Sequence, residues 1–397
     1  MLMRMGWRMW RNHDLRLLWK MGWRMGYQSM RAIRAFERRL RKGVHFPPFV
    51  FISVTNACNL KCQGCWVHQS SPPVSLEPEA LNFVIGACKS QGNRFFGILG
   101  GGPLCYPPLN EVLAKHPDCY FQVFTNGTMI NEKTVDEWRR LGNVTPLLSI
   151  EGLERVSDKR RGGKDVYART LRGLELCRKR RLVTGVATSV CASNIDELAS
   201  DDFAQKVMDY GVAYLWYYIY RPVGGMPHSE LCLTKEQVQR LRSFMVELRT
   251  RVPMIIVDAY WDHEGRALCP AAVGISHHIA PSGDIEPCPP LQFAGDQIGD
   301  GRDLVNVMTQ SEFLSHFRRE TAACTRGCII LENPEALREI LVDSNARDTS
   351  GRGVGLKEVE AMCCRASHDM KENAIPEKSW FYRFAKKNWF FGFGAYG

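Results

Sequence analysis

The chain has 397 residues, 45% hydrophobic and 24% charged, the composition of a soluble globular enzyme longer than one average domain. No apolar stretch approaches the roughly 20 residues that cross a bilayer, and the N-terminus lacks the apolar core of a secretory signal. Fifteen cysteines without such a signal point to a reducing, cytoplasmic setting, where Cys patterns mark metal more often than disulfide.

The formal charge of +10 sits at one end. Residues 1–42 hold twelve Lys or Arg against Asp14 and Glu37, so the rest of the chain is balanced at forty against forty. The same stretch carries Trp7, Trp10, Trp19 and Trp23, and Met5-Gly6-Trp7-Arg8-Met9 returns as Met21-Gly22-Trp23-Arg24-Met25. A basic, Trp-rich amphipathic arm over 1–47 suits an anionic membrane surface, peripheral to the inner face, or nucleic-acid phosphates. A helix laying its apolar stripe on the rest of the protein explains the pattern equally well.

Pro47-Pro48 ends the arm. Strand-like runs then fall near 49–54, 94–99, 119–124, 144–150, 182–190 and 212–220, and helical patterns near 77–91, 131–141, 165–181, 196–210 and 234–250. Ser75 is the expected N-cap of the first of these helices. Strands alternating with helices indicate parallel βαβ units, and six of them predict a partial (β/α)6, TIM-like barrel over 48–258 with its site at the C-terminal strand ends.

Directly after the first strand comes Cys58-Asn59-Leu60-Lys61-Cys62-Gln63-Gly64-Cys65. Three thiolates spaced C-x3-C-x2-C can ligate three irons of a [4Fe–4S] cube and leave the fourth open to a chelating small molecule. A zinc knuckle is the rival reading, with His68 as its only nearby fourth ligand. The next three strands end in Gly100-Gly101-Gly102-Pro103, Thr125-Asn126-Gly127 and Ser149-Ile150-Glu151-Gly152.

After Asp258 the chain changes character. Residues 259–366 read as a strand-and-turn region rich in Gly, Pro and Cys, with Cys269, Gly283 and Cys288, then Cys324 and Cys328, then Cys363-Cys364. Four thiolates also suit a structural zinc. Cys88, Cys105, Cys119, Cys177, Cys191 and Cys232 read as small buried hydrophobes. Residues 367–397 form a tail crowded with aromatics, from Trp380, Phe381, Tyr382 and Phe384 to Trp389, Phe390, Phe391, Phe393 and Tyr396.

The cysteine loop between the first strand and helix of a βα repeat, with the three motif loops that follow, resembles the radical S-adenosylmethionine (SAM) enzymes over about residues 48–258. Two positions depart from that family's pattern. Gly102 stands where a Gly-Gly-Glu-Pro loop has Glu, and Gly64 where many members carry an aromatic, for which Trp66 is the nearby substitute. The C-x13-G-x4-C opening at Cys269 resembles the family's auxiliary-cluster extension, called SPASM in its full form and Twitch when shortened. Too few cysteines follow for the full seven-Cys set, so one auxiliary cluster is expected.

This resemblance implies an oxidoreductase-type enzyme that reductively cleaves SAM to a 5′-deoxyadenosyl radical, which takes hydrogen from a substrate the sequence does not name. Cys58, Cys62 and Cys65 would hold the SAM-binding [4Fe–4S] cluster. Cys269, Cys288, Cys324 and Cys328 would hold an auxiliary [4Fe–4S] cluster, with Cys363 or Cys364 in exchange for one of them. Gly100, Gly101, Gly102, Asn126, Ser149, Glu151, Ser189 and Arg221 are the implied SAM contacts, and a flavodoxin or ferredoxin is the implied electron donor. Two alternatives stand beside it: a peptide- or nucleic-acid-modifying member of the same superfamily, and a non-catalytic zinc or iron–sulfur scaffold.

Overall fold

A computed structural model describes residues 1–299 and 303–389. The six predicted strands are present as β1 (Phe49–Ser53), β2 (Phe95–Leu99), β3 (Tyr120–Thr125), β4 (Val144–Ser149), β5 (Gly185–Val190) and β6 (Tyr214–Ile219). They lie parallel in sequence order, with registers such as Ile52↔Ile98 and Ile98↔Val123. Their inward and outward side chains, among them Val50, Ile52, Phe96, Val123, Leu147 and Val186, are fully buried, as expected of strands covered on both faces.

Two further parallel strands extend the sheet. β7 (Ile255–Val257) pairs with β6, and β8 (Ser276–Ile279) returns to pair with β1. β9 (Asp284–Glu286) and Asp296–Gln297 add antiparallel edges beside β8, giving ten strands in an open order. The partial barrel therefore runs across the expected boundary at residue 258. Beyond it, the region expected to be strands and turns is so as far as Gln297, and from Leu304 it is mainly helical, with helices Leu304–Gln310, Glu312–Cys324, Pro334–Asp343 and Gly355–Glu360. Ser75 does not cap the first barrel helix: Glu77 precedes Pro78–Ser90, and Ser75 Oγ bonds Thr55 Oγ1 at 2.8 Å instead.

The basic arm folds as Leu2–Asn12, Leu15–Met21, a π-helical turn Gly22–Gln28 and Ser29–Leu40. It crosses the N-terminal ends of the strands. Arg8 donates to Met208 and Val212 carbonyls, Lys20 to Leu141 and Arg39 to Gln91, at 2.7–3.1 Å. Met25, Ile33 and Phe36 pack against Phe49, Phe95 and Tyr120, which begin three of the strands. The arm thus closes the floor of the barrel with its apolar stripe. Its outer face leaves Trp7, Trp10, Trp19, Trp23 and Tyr27 exposed, with Trp19 70% accessible.

The C-terminal helix Trp380–Asn388 is fastened by buried charge. Glu377 Oε1 accepts from Arg242 Nη1 at 2.7 Å and Arg249 Nη1 at 2.5 Å, while Lys386 Nζ lies 3.1 Å from Asp258 Oδ1. Burial alone would raise the Asp258 carboxyl, but Lys386, Arg249 and Arg242 hold it well below the usual carboxylate range. Burial pushes Lys386 down to about 8. Breaking such a pair strands an uncompensated charge, at a cost of about 3–5 kcal/mol. This clasp fixes the course of residues 367–389 over Asp258–Trp261.

Candidate metal centre

The cysteine loop sits at the C-terminal end of β1, knitted to the glycine loop after β2. Gly101 N donates to Thr55 O at 2.8 Å and Gly102 N to Ala57 O at 2.7 Å. A Cβ on Gly101 would stand 2.5 Å from the Asn56 and Ala57 carbonyls, so only glycine permits this approach. Gly100, at φ +145°, is equally constrained by Thr55. A Cβ at Gly102 would have ordinary room, 3.5 Å from both Cys58 Sγ and Cys105 Sγ. Two of the three glycines therefore seat the cysteine loop, and the third borders its first thiol.

A helix that sequence reasoning missed, Glu154–Arg161, supports the loop from the other side. Arg160 Nη1 donates to Gln63 O at 2.8 Å, and Arg161 Nη1 to Cys62 Sγ at 3.5 Å. Arg161 also pairs with Glu151 at 2.9 Å, and Glu151 accepts from Ser189 N at 2.8 Å. Burial works against the Arg161 charge, but Glu151 and Cys62 more than offset it and hold the guanidinium protonated. Asn126 Nδ2 reaches Asn59 Oδ1 at 2.9 Å and lies 3.9 Å from Cys58 Sγ. His68, the zinc-knuckle ligand considered above, lies against Gly351.

Across from this loop, Cys269, Cys288 and Cys328 come together around Arg221, whose Nε donates to Cys328 Sγ at 3.4 Å. Cys324 does not join them. It ends the helix Glu312–Cys324 in an exposed position, as do Cys363 and Cys364 beyond the next helices. The expected four-thiol set is thus three thiols and an arginine. Arg221, expected as a SAM contact, donates to Cys328 Sγ and to Tyr260 Oη (3.1 Å).

One cavity of about 380 Å³ separates the two cysteine groups. Cys62, Gly64, Cys65 and Trp66 wall one side, Cys269, Cys288 and Cys328 the other, and Phe49, Phe51, Phe124, Trp216 and Tyr218 form the aromatic interior. Ser149, Glu151, Ser189 and Arg221 line it too, whereas Gly100, Gly101, Gly102 and Asn126 are not among its walls. Trp66 sets its ring edge-on to His278 at 5.6 Å.

The donor chemistry fits iron–sulfur groups. Desolvation pushes the Cys269 thiol up to about 11 and raises Cys58 and Cys288 as well. Such thiols stay protonated at neutral pH unless a cation sits among them, as a metal cluster does. Cysteine thiolates are the usual protein ligands of iron–sulfur clusters.

A partial parallel barrel with a cysteine loop after its first strand, facing a second cysteine group across one cavity, is the arrangement expected from the resemblance to radical SAM proteins with a SPASM/Twitch-type extension. Residues 52–199 match the radical SAM superfamily, so the chain carries a radical SAM domain, of the kind that uses a [4Fe–4S] cluster and SAM. It is 28% identical over 264 residues to the antilisterial bacteriocin subtilosin biosynthesis protein AlbA of Bacillus subtilis, covering 61% of this chain and 55% of that one. It is 29% identical to the AdoMet-dependent heme synthase of Methanosarcina barkeri over 38% of this chain and 45% of that protein. The chain thus spans about half the length of these curated relatives. Among solved structures, Streptococcus suis SuiB bound to precursor peptide SuiA shares the fold at TM-score 0.59, with 16% identity over 71% of this chain and 69% of that one. Native anSMEcpe with bound AdoMet and Cp18Cys peptide does so at 0.54, with 17% identity over 70% and 85%.

Proposed function

We propose that this chain is a radical SAM enzyme that uses an auxiliary cluster to modify a peptide. The observation that carries the reading is the cavity with Cys62 and Cys65 of the first cysteine group and Cys269, Cys288 and Cys328 of the second in its walls. Cys58, Cys62 and Cys65 hold the SAM-binding cluster and leave one iron without a protein ligand; Cys269, Cys288 and Cys328 hold the auxiliary one. When bound, the first cluster and SAM supply a 5′-deoxyadenosyl radical able to take hydrogen from a substrate carbon.

The chain's own residues prepare the space for that chemistry. Arg161, fixed by Glu151, balances negative charge at Cys62, and Arg221 does so at Cys328. Of the expected SAM contacts, Ser149 and Ser189 are the hydroxyl candidates in the cavity wall, and Glu151 is paired with Arg161. The aromatic interior excludes water, which would otherwise intercept reactive species. A peptide substrate is supported by the relatives: SuiB and anSMEcpe are both structures with bound peptide, and AlbA takes part in making a bacteriocin. Electrons come from an external flavodoxin- or ferredoxin-type donor. Anaerobic incubation of the reconstituted protein with SAM and reductant should give 5′-deoxyadenosine; iron-replete protein that gives none contradicts the reading.

The arm adds peripheral attachment to anionic membrane. No helix among the described residues is long and apolar enough to cross a membrane. Arg4, Arg11, Arg16, Arg31, Arg34, Arg38, Arg41 and Lys42 are exposed beside the outward Trp residues, each cation worth about 1 kcal/mol near an anionic bilayer. Deleting the arm would uncover the barrel floor, so substitution is the cleaner test. Replacing Trp7, Trp10, Trp19 and Trp23 by Ala should sharply reduce co-sedimentation with anionic vesicles and leave SAM cleavage intact. Equal sedimentation of variant and parent, or stronger binding to RNA than to vesicles, would contradict membrane attachment.

A further inference from the structure

The second cysteine group has three thiols in the cavity wall, one fewer than a fully thiolate-ligated cube uses. The histidine in the same cavity wall is His368. It is 1% exposed and lines the same cavity. Its surroundings tie it to two of the three cysteines. His368 Nε2 lies 2.9 Å from Leu268 O, the carbonyl just before Cys269. The neighbouring Ser367 Oγ accepts from Cys328 N at 3.5 Å. Trp261 Nε1 donates to His368 O at 2.8 Å, and the Glu377 and Lys386 clasp holds the following chain in place. The ring packs 4.9 Å from that of Tyr260, whose hydroxyl accepts from Arg221.

His368 Nδ1 is buried with no hydrogen-bond partner. With Nε2–H donating to Leu268 O, Nδ1 is a bare lone pair, and leaving such an atom unsatisfied costs about 1–3 kcal/mol. A backbone carbonyl on the remote nitrogen is also the arrangement that orients metal-ligating histidines. We propose that His368 Nδ1 is the fourth ligand of the auxiliary cluster, completing a three-Cys, one-His set with Cys269, Cys288 and Cys328. The proposal rests on those three cysteines holding that cluster. It gives the exposed Cys324, Cys363 and Cys364 no part in ligation.

The test uses the full chain with Cys58, Cys62 and Cys65 replaced by Ala, so that only the auxiliary site can take up iron. After anaerobic reconstitution and reduction, pulsed paramagnetic resonance should show the strong nitrogen coupling of a directly bonded imidazole. Incorporation of 15N-histidine should change that coupling in proportion to the nuclear moments, a readout made with His368 intact. In the same background His368→Cys should keep its iron, lose the coupling and show a lower reduction potential, because thiolate donates more charge than imidazole. A cluster without strong nitrogen coupling, or a coupling unchanged in His368→Cys, overturns the ligand assignment. Failure of the background protein to take up any iron overturns the underlying cysteine assignment instead, and the two failures are distinct.

Discussion

Replacing Cys58, Cys62 and Cys65 together by Ala is expected to abolish 5′-deoxyadenosine formation while leaving the barrel folded. The three thiols share one loop at the C-terminal end of β1, and two of them, Cys62 and Cys65, line the cavity. Removing all three takes away every protein ligand of the SAM-binding cluster, so the loss should reach the background of reductant alone. The fold should survive because the strands are held by fully buried side chains such as Val50, Ile52, Phe96 and Val123. Circular dichroism and a thermal unfolding transition close to that of the parent would confirm this. Product formation retained under strong reductant would show that the cluster lies elsewhere.

Replacing Cys269 or Cys288 by Ala should lower iron by about half, as loss of one cube of two requires. SAM cleavage should continue without turnover of the substrate. The neighbouring Arg221 sharpens the expectation. It is enclosed with the thiols and donates to Cys328, so losing the cluster's negative charge leaves a buried guanidinium less compensated and the site locally loosened. Cys324→Ala is the control that separates structure from sequence spacing. Because Cys324 is exposed at a helix end and outside the cavity wall, its replacement should alter neither iron content nor turnover. Equal iron loss from Cys324→Ala and Cys269→Ala would restore the four-thiol set expected from spacing.

The strands that sequence reasoning located are those whose burial is written in apolar, β-branched runs. β1 to β6 read clearly, whereas β7 has only three residues and β8 is Ser276-His277-His278-Ile279. His278 of β8 is buried because the fold satisfies it: His278 Nε2 lies 2.7 Å from Ser53 Oγ, and His278 Nδ1 2.5 Å from Glu286 Oε2. No local pattern reveals such long-range pairing. The cysteine loop was legible because its three ligands lie within eight residues. Its support was not, since Arg161 reaches Cys62 from 99 residues away on a short, strongly polar helix. A pair of arginines before Gly162-Gly163, just after the Glu151 loop, was the available hint.

Distance along the chain does not show which C-terminal cysteines face the cavity. Cys324 and Cys328 are four apart, yet the helix end turns one outward and the other into the cavity. His368 carries no motif and becomes visible only when the tail is followed back over Trp261. The arm shows both of its expected characters at once, an apolar stripe on the barrel floor and a basic aromatic face outside. The aromatic tail divides likewise: Tyr382 is buried and Trp380 exposed, while Phe390, Phe391, Phe393 and Tyr396 lie outside the described residues.

The central claim is that one cavity lies between two iron–sulfur sites of different ligation. Iron, sulfide and zinc counted per chain in the anaerobically reconstituted protein test it most directly. Two cubes predict about eight irons and eight sulfides with negligible zinc, falling to about four irons in the Cys58, Cys62, Cys65 triple variant. About one zinc per chain with iron near four or below would contradict it, assigning one cysteine group to a structural ion.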